Sequence, residues 1–516
     1  MRGEIKMQNL IKRHLLSFIV LMLFIITGCS NDETTGSAQD TESQKVRVGF
    51  NANLDNFDPV HGSSGSDHAL LYPVYDTLIS FDEDLEPEPG LAESWEFTDN
   101  ETLQLNLRDD VLFHDGTPFN AEAVKFNIDR GISEESPLSD LSSINGVEIM
   151  DELTVNLHLA EPDSSLVLAL ADRGGMMVSP TALEEGGDSY GQAAVGAGPF
   201  EVEEWSPNDR IVYTKFDGYW QDDHPKTDQL EVLIMQDEIT RINALQNDEI
   251  DFAYRLPSGD IFSLENDPSI DIVESQAVPV HILYLNTSQS PFDNKSVRRA
   301  IQFGINREEL SQAIDYGQGE GAYQPFPSDY WVYNEDLQDL YDPDKARSIL
   351  EEEGLDNVSV SIGYNATAYY ARAVDVLRQQ LDDIGIQLNT EAMEITTATA
   401  TYFDEQSVPA LLSRWTGRPD PHMTMSLLFS EGSYYNTGSH TTEEINTLLN
   451  EAAAVTEDED KRAEIYGEIS RIAVEEEAIM IPLVFQPEVI GMHNDVKGYE
   501  GNLLGKPRFD LLWKES

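Results

Sequence analysis

His114 and Asp115 stand side by side, and their side chains could do acid–base chemistry. A histidine titrates near neutral pH, and a neighbouring carboxylate can orient it for proton transfer. The same residues also fit a turn, because Asp115-Gly116 can reverse the chain after a strand and Pro118 leads into a helix that Asn120 can cap. We interpret the stretch as a turn rather than a catalytic pair.

No other motif in the sequence predicts catalysis or metal binding. The stretch GNLLGK at 501–506 resembles a phosphate-binding loop, but it is one residue short and Pro507 follows it directly. The sequence has no His-Glu-x-x-His pair, no Gly-x-Ser-x-Gly elbow and no acidic loop with calcium-site spacing, and its ten histidines include no pair four residues apart. We therefore predict a protein without enzymatic activity, cofactor or bound metal.

Cys29 is the one cysteine in the sequence, so an intrachain disulfide and a thiolate metal site are both excluded. A basic segment and the apolar run 15–26 precede it, and that run is too short to span a bilayer but is typical of a signal peptide. The residues ITGC at 26–29 resemble a bacterial lipobox. We predict that 1–28 are removed, that Cys29 is lipidated, and that the polar residues 29–44 form a flexible tether.

The charge balance excludes one class of partner. Asp and Glu number 95 against 32 Lys and Arg, which gives a net charge of −63. Such a surface repels phosphate backbones, so we predict that nucleic acid is not a partner. Two interpretations of the acidity stay open, adaptation to salty or alkaline surroundings and capture of a cationic ligand. The even spread of the acids along the chain favours adaptation.

Strand and helix patterns alternate along the chain after the tether. Residues 45–50, 103–107, 153–159 and 386–388 alternate between apolar and polar side chains, as half-buried strands do. Helical spacing of apolar residues occurs over 297–304, 372–384, 445–452 and 465–473, and Gly385 suits the left-handed position after a helix. The sequence therefore predicts an α/β fold.

Two long stretches carry a resemblance to a known family. GLAESWE at 90–96 and LNLRDDVLFHDGTPFNAEAV at 105–124 closely resemble the signature of the family 5 extracellular solute-binding proteins of ABC importers, the oligopeptide-, dipeptide- and nickel-binding type. Further stretches agree in the family's order, namely VGAGPF at 195–200, PFDNKSVRRAI at 291–301, YDPDKA at 341–346 and IMIPL at 479–483. The resemblance covers nearly everything after the tether.

The resemblance implies a periplasmic-binding-protein-like fold, of type II with an extra subdomain, whose two lobes close on a ligand by hinge motion. Lobe one would combine 45–78, 196–283 and 487–516. The subdomain would be 79–195, packed on lobe one, and lobe two would be 284–486. The implied function is capture of a solute outside the cell and delivery to an ABC permease driven by a separate ATPase, by a protein that is a monomer.

The segment LSRWTGRPDP at 412–421 is the most informative about the ligand. In peptide-binding relatives a similar Trp-x-x-Asp stretch supplies the carboxylate that pairs with the peptide's amine, but Arg418 stands at that place here. A guanidinium facing an ammonium in a cleft is unfavourable, whereas it binds a carboxylate or phosphate through two hydrogen bonds. We therefore expect a small anionic or zwitterionic ligand ahead of an unmodified peptide, with a metal chelate third. Asp420 is the alternative partner for an amine.

The other candidate ligand-binding residues also come from the resemblance. Arg372, which we expect to begin a helix, corresponds to an arginine that holds the ligand's carboxylate in dipeptide-binding relatives, with a surface arginine as the alternative. Trp415 is expected to form a wall of the cleft, or else to lie in the core, and Tyr370 is a further candidate. Arg414 is expected to pair with an acid. A surface lipoprotein with a sensor or hydrolase role is the alternative function, and the outer face of a Gram-positive cell and a periplasm stay equally open.

Overall fold

The structure is a computed structural model that describes residues 44–61, 67–259, 261, 264, 266–456 and 458–515. The predicted signal peptide, the lipidation site Cys29 and all of the predicted tether except Gln44 lie outside these residues. Within them, no helix combines the length and the apolar character that crossing a bilayer requires.

Strands and helices alternate along the chain, which confirms the predicted α/β class. The strands are β1 Lys45–Phe50, β2 Ile79–Phe81, β3 Pro87–Pro89, β4 Ala92–Asp99, β5 Thr102–Leu107, β6 Ile144–Asp151, β7 Thr154–Leu159, β8 Phe200–Ser206, β9 Arg210–Lys215, β10 Gln229–Ile234, β11 Phe252–Ala253, β12 Ile270–Ser275, β13 Val280–Leu285, β14 Glu320–Gly321, β15 Val358–Asn365, β16 Ile386–Met393, β17 Ala410–Trp415, β18 Met480–Phe485, β19 Glu488–His493, β20 Val496–Lys497 and β21 Trp513–Lys514.

The helices are α1 His68–Leu71, α2 Ala121–Gly131, α3 Leu166–Ala169, α4 Pro180–Gly186, α5 Glu238–Gln246, α6 Lys295–Gly304, α7 Arg307–Asp315, α8 Pro343–Glu352, α9 Ala368–Asp383, α10 Ile395–Thr399, α11 Pro421–Phe429, α12 Glu443–Ala453 and α13 Glu459–Ser470. Short 3-10 turns occur at Pro59–His61, Arg173–Gly175, Gly187–Gln192 and Phe509–Leu511, and π-helical turns at Ala400–Asp404 and Arg471–Glu476.

The predicted local elements are present with one correction. The strands predicted from alternation are β1, β5, β7 and the start of β16, and Gly385 has the expected left-handed backbone at φ 87°. Asn120 caps α2 by accepting from the N–H groups of Glu122 and Ala123, as the turn interpretation requires. The prediction that a helix begins at Arg372 is wrong. α9 begins at Ala368, because the Thr367 side chain accepts from the N–H of Tyr370 and caps the helix one turn earlier.

Lobe one is built on a seven-stranded sheet with the order β12-β19-β11-β1-β10-β9-β8 among the described residues. β1 pairs in parallel with β10 and β11, and Val46, Val48 and Phe50 of β1 are fully buried. In the part of the chain that the structure describes, β12 is hydrogen-bonded in this sheet to β19 alone. The sheet therefore needs strands from both ends of the folded chain.

Lobe two is built on a six-stranded sheet with the order β14-β18-β13-β17-β15-β16 within the described residues. Its strands all lie between Val280 and Phe485. Along β13, Val280, Ile282 and Tyr284 pack into one apolar cluster, with Trp415 and residues of α11 to α13. Leu283 and Leu285 pack into another on the opposite face, with α6 to α9.

The subdomain contains the four-stranded antiparallel sheet β4-β5-β7-β6. Its apolar core is continuous with the lobe-two cluster around Trp415. Ser164 also joins the subdomain to lobe two, because its N–H and hydroxyl donate to Ala453 O and Ala452 O at the end of α12, at 2.9 and 3.2 Å.

The chain crosses between the two large sheets at 276–279 and again at 486–487. β12 and β19 are neighbours in the first sheet, and β13 and β18 are neighbours in the second, so the two crossings run side by side. The boundary expected between 283 and 284 falls inside β13, which belongs to lobe two as a whole. The crossing therefore comes a few residues earlier, where Pro279 ends the connection before the ladder begins.

Candidate functional site

The candidate site lies where the lobe-two sheet meets the crossings. β13 begins at Val280, which pairs with Trp415 at the end of β17 and with Phe485 at the end of β18. Three strand ends thus form one row beside the connections to lobe one. Side chains just beyond this row come from both lobes.

Trp415 lies in the apolar core of lobe two beside this row of strand ends. Its side chain is 1% exposed and packs edge-to-face against Tyr435, with ring centroids 4.7 Å apart. Its indole Nε1 is buried and has no hydrogen-bond partner among the described residues. A buried donor without an acceptor is unfavourable.

Arg418 lies directly over Trp415. Its guanidinium carbon is 5.0 Å from the indole centroid, and its Nη1 donates to Gly417 O at 2.8 Å. Gly417 has φ 76° and packs on Val278 so closely that a side chain there would overlap it, which fixes the start of this loop. The Arg418 side chain is half-buried, and no carboxylate of a described residue forms an ion pair with it.

Asp420, two residues further on, has partners inside lobe two. Both of its oxygens accept from Arg462 Nη2, at 2.7 and 2.8 Å, and Oδ1 also accepts from the N–H of His422 at the start of α11. The carboxylate is 1% exposed. This geometry favours a structural role over the predicted contact with a ligand's amine, because a second ammonium would have to replace Arg462.

Tyr370 and Arg372 lie on the other face of the lobe-two sheet from Trp415. The Tyr370 hydroxyl is 2.9 Å from His281 Nδ1 and is buried. Burial lowers the pKa of His281 to about 3, with nearby Arg414 acting in the same direction, so the imidazole is neutral near pH 7. Arg372 is exposed and donates to Ile314 O at 3.4 Å. The structure thus brings Trp415 and Arg418 together and leaves Arg372 apart from them.

An ion-paired cluster that the sequence did not indicate joins the lobes beside the crossings. Glu488 of β19 accepts from Arg255 Nε at 3.0 Å and from Arg414 Nη2 of β17 at 2.7 Å. Burial raises the pKa of Glu488, but the two arginines outweigh it and bring the value to about 2. Arg414 is paired with an acid as expected, and the partner lies 74 residues away in the other lobe.

A second buried pair lies on the lobe-one side. Lys506 Nζ forms an ion pair with Asp172, whose Oδ1 is 3.0 Å from His68 Nε2 and accepts from the Tyr72 hydroxyl at 3.3 Å. Burial lowers the pKa of His68 to about 4, so His68 is neutral near pH 7. Lys506 lies in the GNLLGK stretch, but a 3-10 turn and β21 follow that stretch and no α-helix does, as a phosphate-binding loop would require.

His114 and Asp115 do not form a catalytic pair. His114 Nε2 is 2.9 Å from Gly198 O, while Asp115 accepts from the Ser179 and Thr117 hydroxyls. Burial lowers the pKa of His114 to about 4. In the described part of the chain, no three His, Cys, Asp or Glu side chains are grouped closely enough to hold a metal ion.

Two lobes joined by paired crossings, with charged and aromatic side chains between them, define a two-lobed solute-binding protein. The model of the family "Bacterial extracellular solute-binding proteins, family 5 Middle" matches residues 86–436. The chain belongs to this family, whose members are solute-binding components of ABC importers. The family indicated by the sequence motifs is thereby confirmed.

Relatives and solved structures agree with this assignment. The glutathione-binding protein GsiB of Salmonella typhi is 30% identical over 475 residues, which is 89% of this chain and 92% of that protein. The periplasmic binding protein DppA of Helicobacter pylori, in complex with the peptide STSA, superposes with a TM-score of 0.80 at 24% identity over 92% of this chain and 99% of DppA. AgaA of A. tumefaciens R10, in complex with agropinic acid, has a TM-score of 0.78 at 23% identity with the same coverage.

Proposed function

We propose that this protein is the lipid-anchored binding component of an ABC importer and that it captures a small anionic or zwitterionic solute between its lobes. It delivers this solute to a permease whose transport is driven by a separate ATPase, and it acts as a monomer. Lipidation of Cys29 keeps it at the membrane on the outer side, either on a Gram-positive surface or in a periplasm.

The proposed ligand class rests on the surroundings of the Arg418 guanidinium. Its guanidinium is half-buried, lies over Trp415 and has no described carboxylate as a partner. In a protein with 95 acidic and 32 basic residues, a cation at a lobe boundary without an acid beside it is unexpected unless a ligand supplies the anion. A guanidinium binds a carboxylate through two parallel hydrogen bonds.

The ligands of related proteins agree with this class. GsiB is named for glutathione, and the two superposed structures hold the peptide STSA and agropinic acid. Each of these molecules carries a carboxylate. The replacement of the expected acid by Arg418 favours binding through the carboxylate rather than through an amine.

The test is a thermal-shift screen of the full-length protein against glutathione, the peptide STSA, agropinic acid and Ni(L-His). A ligand that binds only the native state raises the melting temperature by mass action. We expect a rise with a carboxylate ligand and, in Arg418→Gln, a loss of roughly 10- to 100-fold in affinity, because a charged hydrogen bond contributes about 1.5–3 kcal/mol.

Arg378→Gln is the matched control, since Arg378 lies on the exposed side of α9 and pairs with Asp375 there. It should bind like the wild-type protein. Unchanged affinity in Arg418→Gln would remove Arg418 from the site, and a response to the nickel chelate alone would overturn the anionic class.

A further inference from the structure

Lys506 is held in a rigid loop of lobe one. Asn502 Nδ2 donates to Lys506 O at 2.8 Å, and the Lys506 N–H donates back to Asn502 Oδ1 at 3.3 Å. Between them, Gly505 takes a left-handed backbone at φ 65°, and its carbonyl accepts from the Tyr254 hydroxyl at 2.8 Å. These three hydrogen bonds fix the backbone of the loop at Lys506.

The loops that carry Lys506 and Arg418 pack against the same stretch of the crossing between the lobes. The N–H of Val278 donates to Leu503 O at 2.6 Å, which attaches the Lys506 loop. Gly417, the neighbour of Arg418, packs on the side chain of Val278 from the lobe-two side. One residue of the crossing thus contacts a lobe-one loop and a lobe-two loop, and each loop carries a cation.

One carboxylate, that of Asp172, does not neutralise both of these cations. Asp172 pairs with Lys506, and its other close neighbours, His68 and Tyr72, are neutral near pH 7. That pair leaves the charge of Arg418 uncompensated. Burial lowers the pKa of Lys506, Asp172 raises it, and the charges of Arg418 and Arg173 act in the same direction as burial.

We infer that Lys506 is a second anchor for the ligand, so that one anionic group of the solute is bound by Arg418 from lobe two and by Lys506 from lobe one. This inference rests on the proposed function and extends it, because it assigns a residue of the opposite lobe and a role for the anion in closure. Without an anion, the two cations oppose each other across the boundary. A carboxylate between them turns that repulsion into attraction on both sides.

Asp172 then acts as a competitor of the ligand for Lys506. The direction of the change in affinity therefore differs from the one expected for a purely structural ion pair. Removing the charge of Asp172 should tighten binding of an anion, and removing the charge of Lys506 as well should weaken it again. A structural pair would instead give weaker binding or lower stability in both variants.

The experiment is calorimetric titration of glutathione into the full-length wild-type protein, Asp172→Asn and the double variant Asp172→Asn/Lys506→Met. We expect Asp172→Asn to bind more tightly than the wild type, and the double variant to bind at least about 10-fold more weakly than Asp172→Asn. The double variant removes both charges together, so neither is left buried without its partner. Lys497→Met is the control and should bind like the wild type, because the Lys497 ammonium donates to Asn494 O in an exposed contact.

Two outcomes would overturn the inference in distinguishable ways. Equal affinity of the single and double variants, with Arg418→Gln still impaired, would remove Lys506 from the site and leave the proposed function standing. If neither glutathione nor STSA nor agropinic acid binds the wild-type protein, the anionic ligand class fails and the role of Lys506 fails with it.

Discussion

At the scale of single residues, Glu488 is a buried carboxylate of the candidate site that pairs with two arginines. It is 2% exposed and is shared by Arg255 of lobe one and Arg414 of lobe two. Its pKa of about 2 in the folded protein is below the ordinary value of 4.5. The depressed pKa means that Glu488 adds stability above about pH 4.5, and that this contribution is lost as the pH falls from there towards 2.

We predict that Glu488→Gln lowers the free energy of unfolding at pH 7 by about 3 kcal/mol, because two half-buried guanidiniums lose the buried anion that they share. Denaturant unfolding at pH 7 and at pH 3 measures this. The gap between wild type and variant should be smaller at pH 3, where the wild-type carboxylate has lost part of its advantage.

Glu204→Gln is the matched control for this substitution. Glu204 pairs with Arg210 at the surface, where both side chains are more than 40% exposed, so its loss should cost less than about 1 kcal/mol. A loss in Glu488→Gln no larger than in this control would show that the interlobe cluster does not stabilise the fold.

At the scale of elements, the N-terminus of α11 is stabilised from two sides. Asp420 caps the helix through the N–H of His422, and its carboxylate also pairs with Arg462 of α13. Arg462 in turn lies over the Trp331 ring, 5.4 Å from the centroid. One carboxylate therefore sets both the start of a helix and its packing on a second helix.

We predict that Asp420→Asn lowers the unfolding free energy by about 3–5 kcal/mol while leaving ligand affinity nearly unchanged in the molecules that fold. Asparagine can still cap the helix, but Arg462 is left buried without an anion. Denaturant unfolding and titration with glutathione measure the two effects.

Asp342→Asn is the matched control, because Asp342 caps α8 at an exposed position with no buried partner. It should cost only a few tenths of a kcal/mol. A variant Asp420→Asn with normal stability and lost binding would instead support the alternative in which Asp420 takes the ligand's amine.

Features that depend on neighbouring residues were predictable from the sequence, whereas contacts between distant segments were not. β1, β5 and β7 were predictable because alternation of buried and exposed side chains is a property of neighbouring residues. The cap at Asn120 was predictable for the same reason. The start of α9 was misplaced because Thr367 caps a turn that contains two tyrosines and no clear apolar spacing.

The site was only partly predictable. Trp415 and Arg418 lie three residues apart, and the structure brings their side chains together. The pairing of Arg255 with Glu488, 233 residues apart, and of Lys506 with Asp172, 334 residues apart, depends on the packing of distant segments. No spacing rule within the sequence connects such residues.

At the scale of the whole molecule, the proposed lipidation of Cys29 would hold the protein at the membrane. We predict that Cys29→Ser gives an unlipidated protein that is released into the soluble fraction, because the acyl chains would supply about 0.8 kcal/mol per buried methylene. Metabolic labelling with a fatty acid and fractionation of cells measure this.

Ser30→Ala is the control, since it changes the neighbouring residue and keeps the thiol. It should be labelled and retained like the wild type. Normal labelling of Cys29→Ser would contradict the lipobox interpretation, because the sequence contains no second cysteine.

The place of β19 in the lobe-one sheet has a consequence for the order in which the chain can fold as it emerges during export. Among the described residues, β12 is attached to this sheet through β19 alone, and Ile270 pairs with His493 after the whole of lobe two has intervened. Lobe two can complete its sheet from one continuous segment, Val280 to Phe485. Lobe one must wait, with β12 unpaired, until β19 has crossed the membrane, and the closure of so long a loop is entropically costly. A chain that ends before Glu488 could therefore complete the sheet of lobe two. The sheet of lobe one would keep an unpaired strand edge, which promotes aggregation.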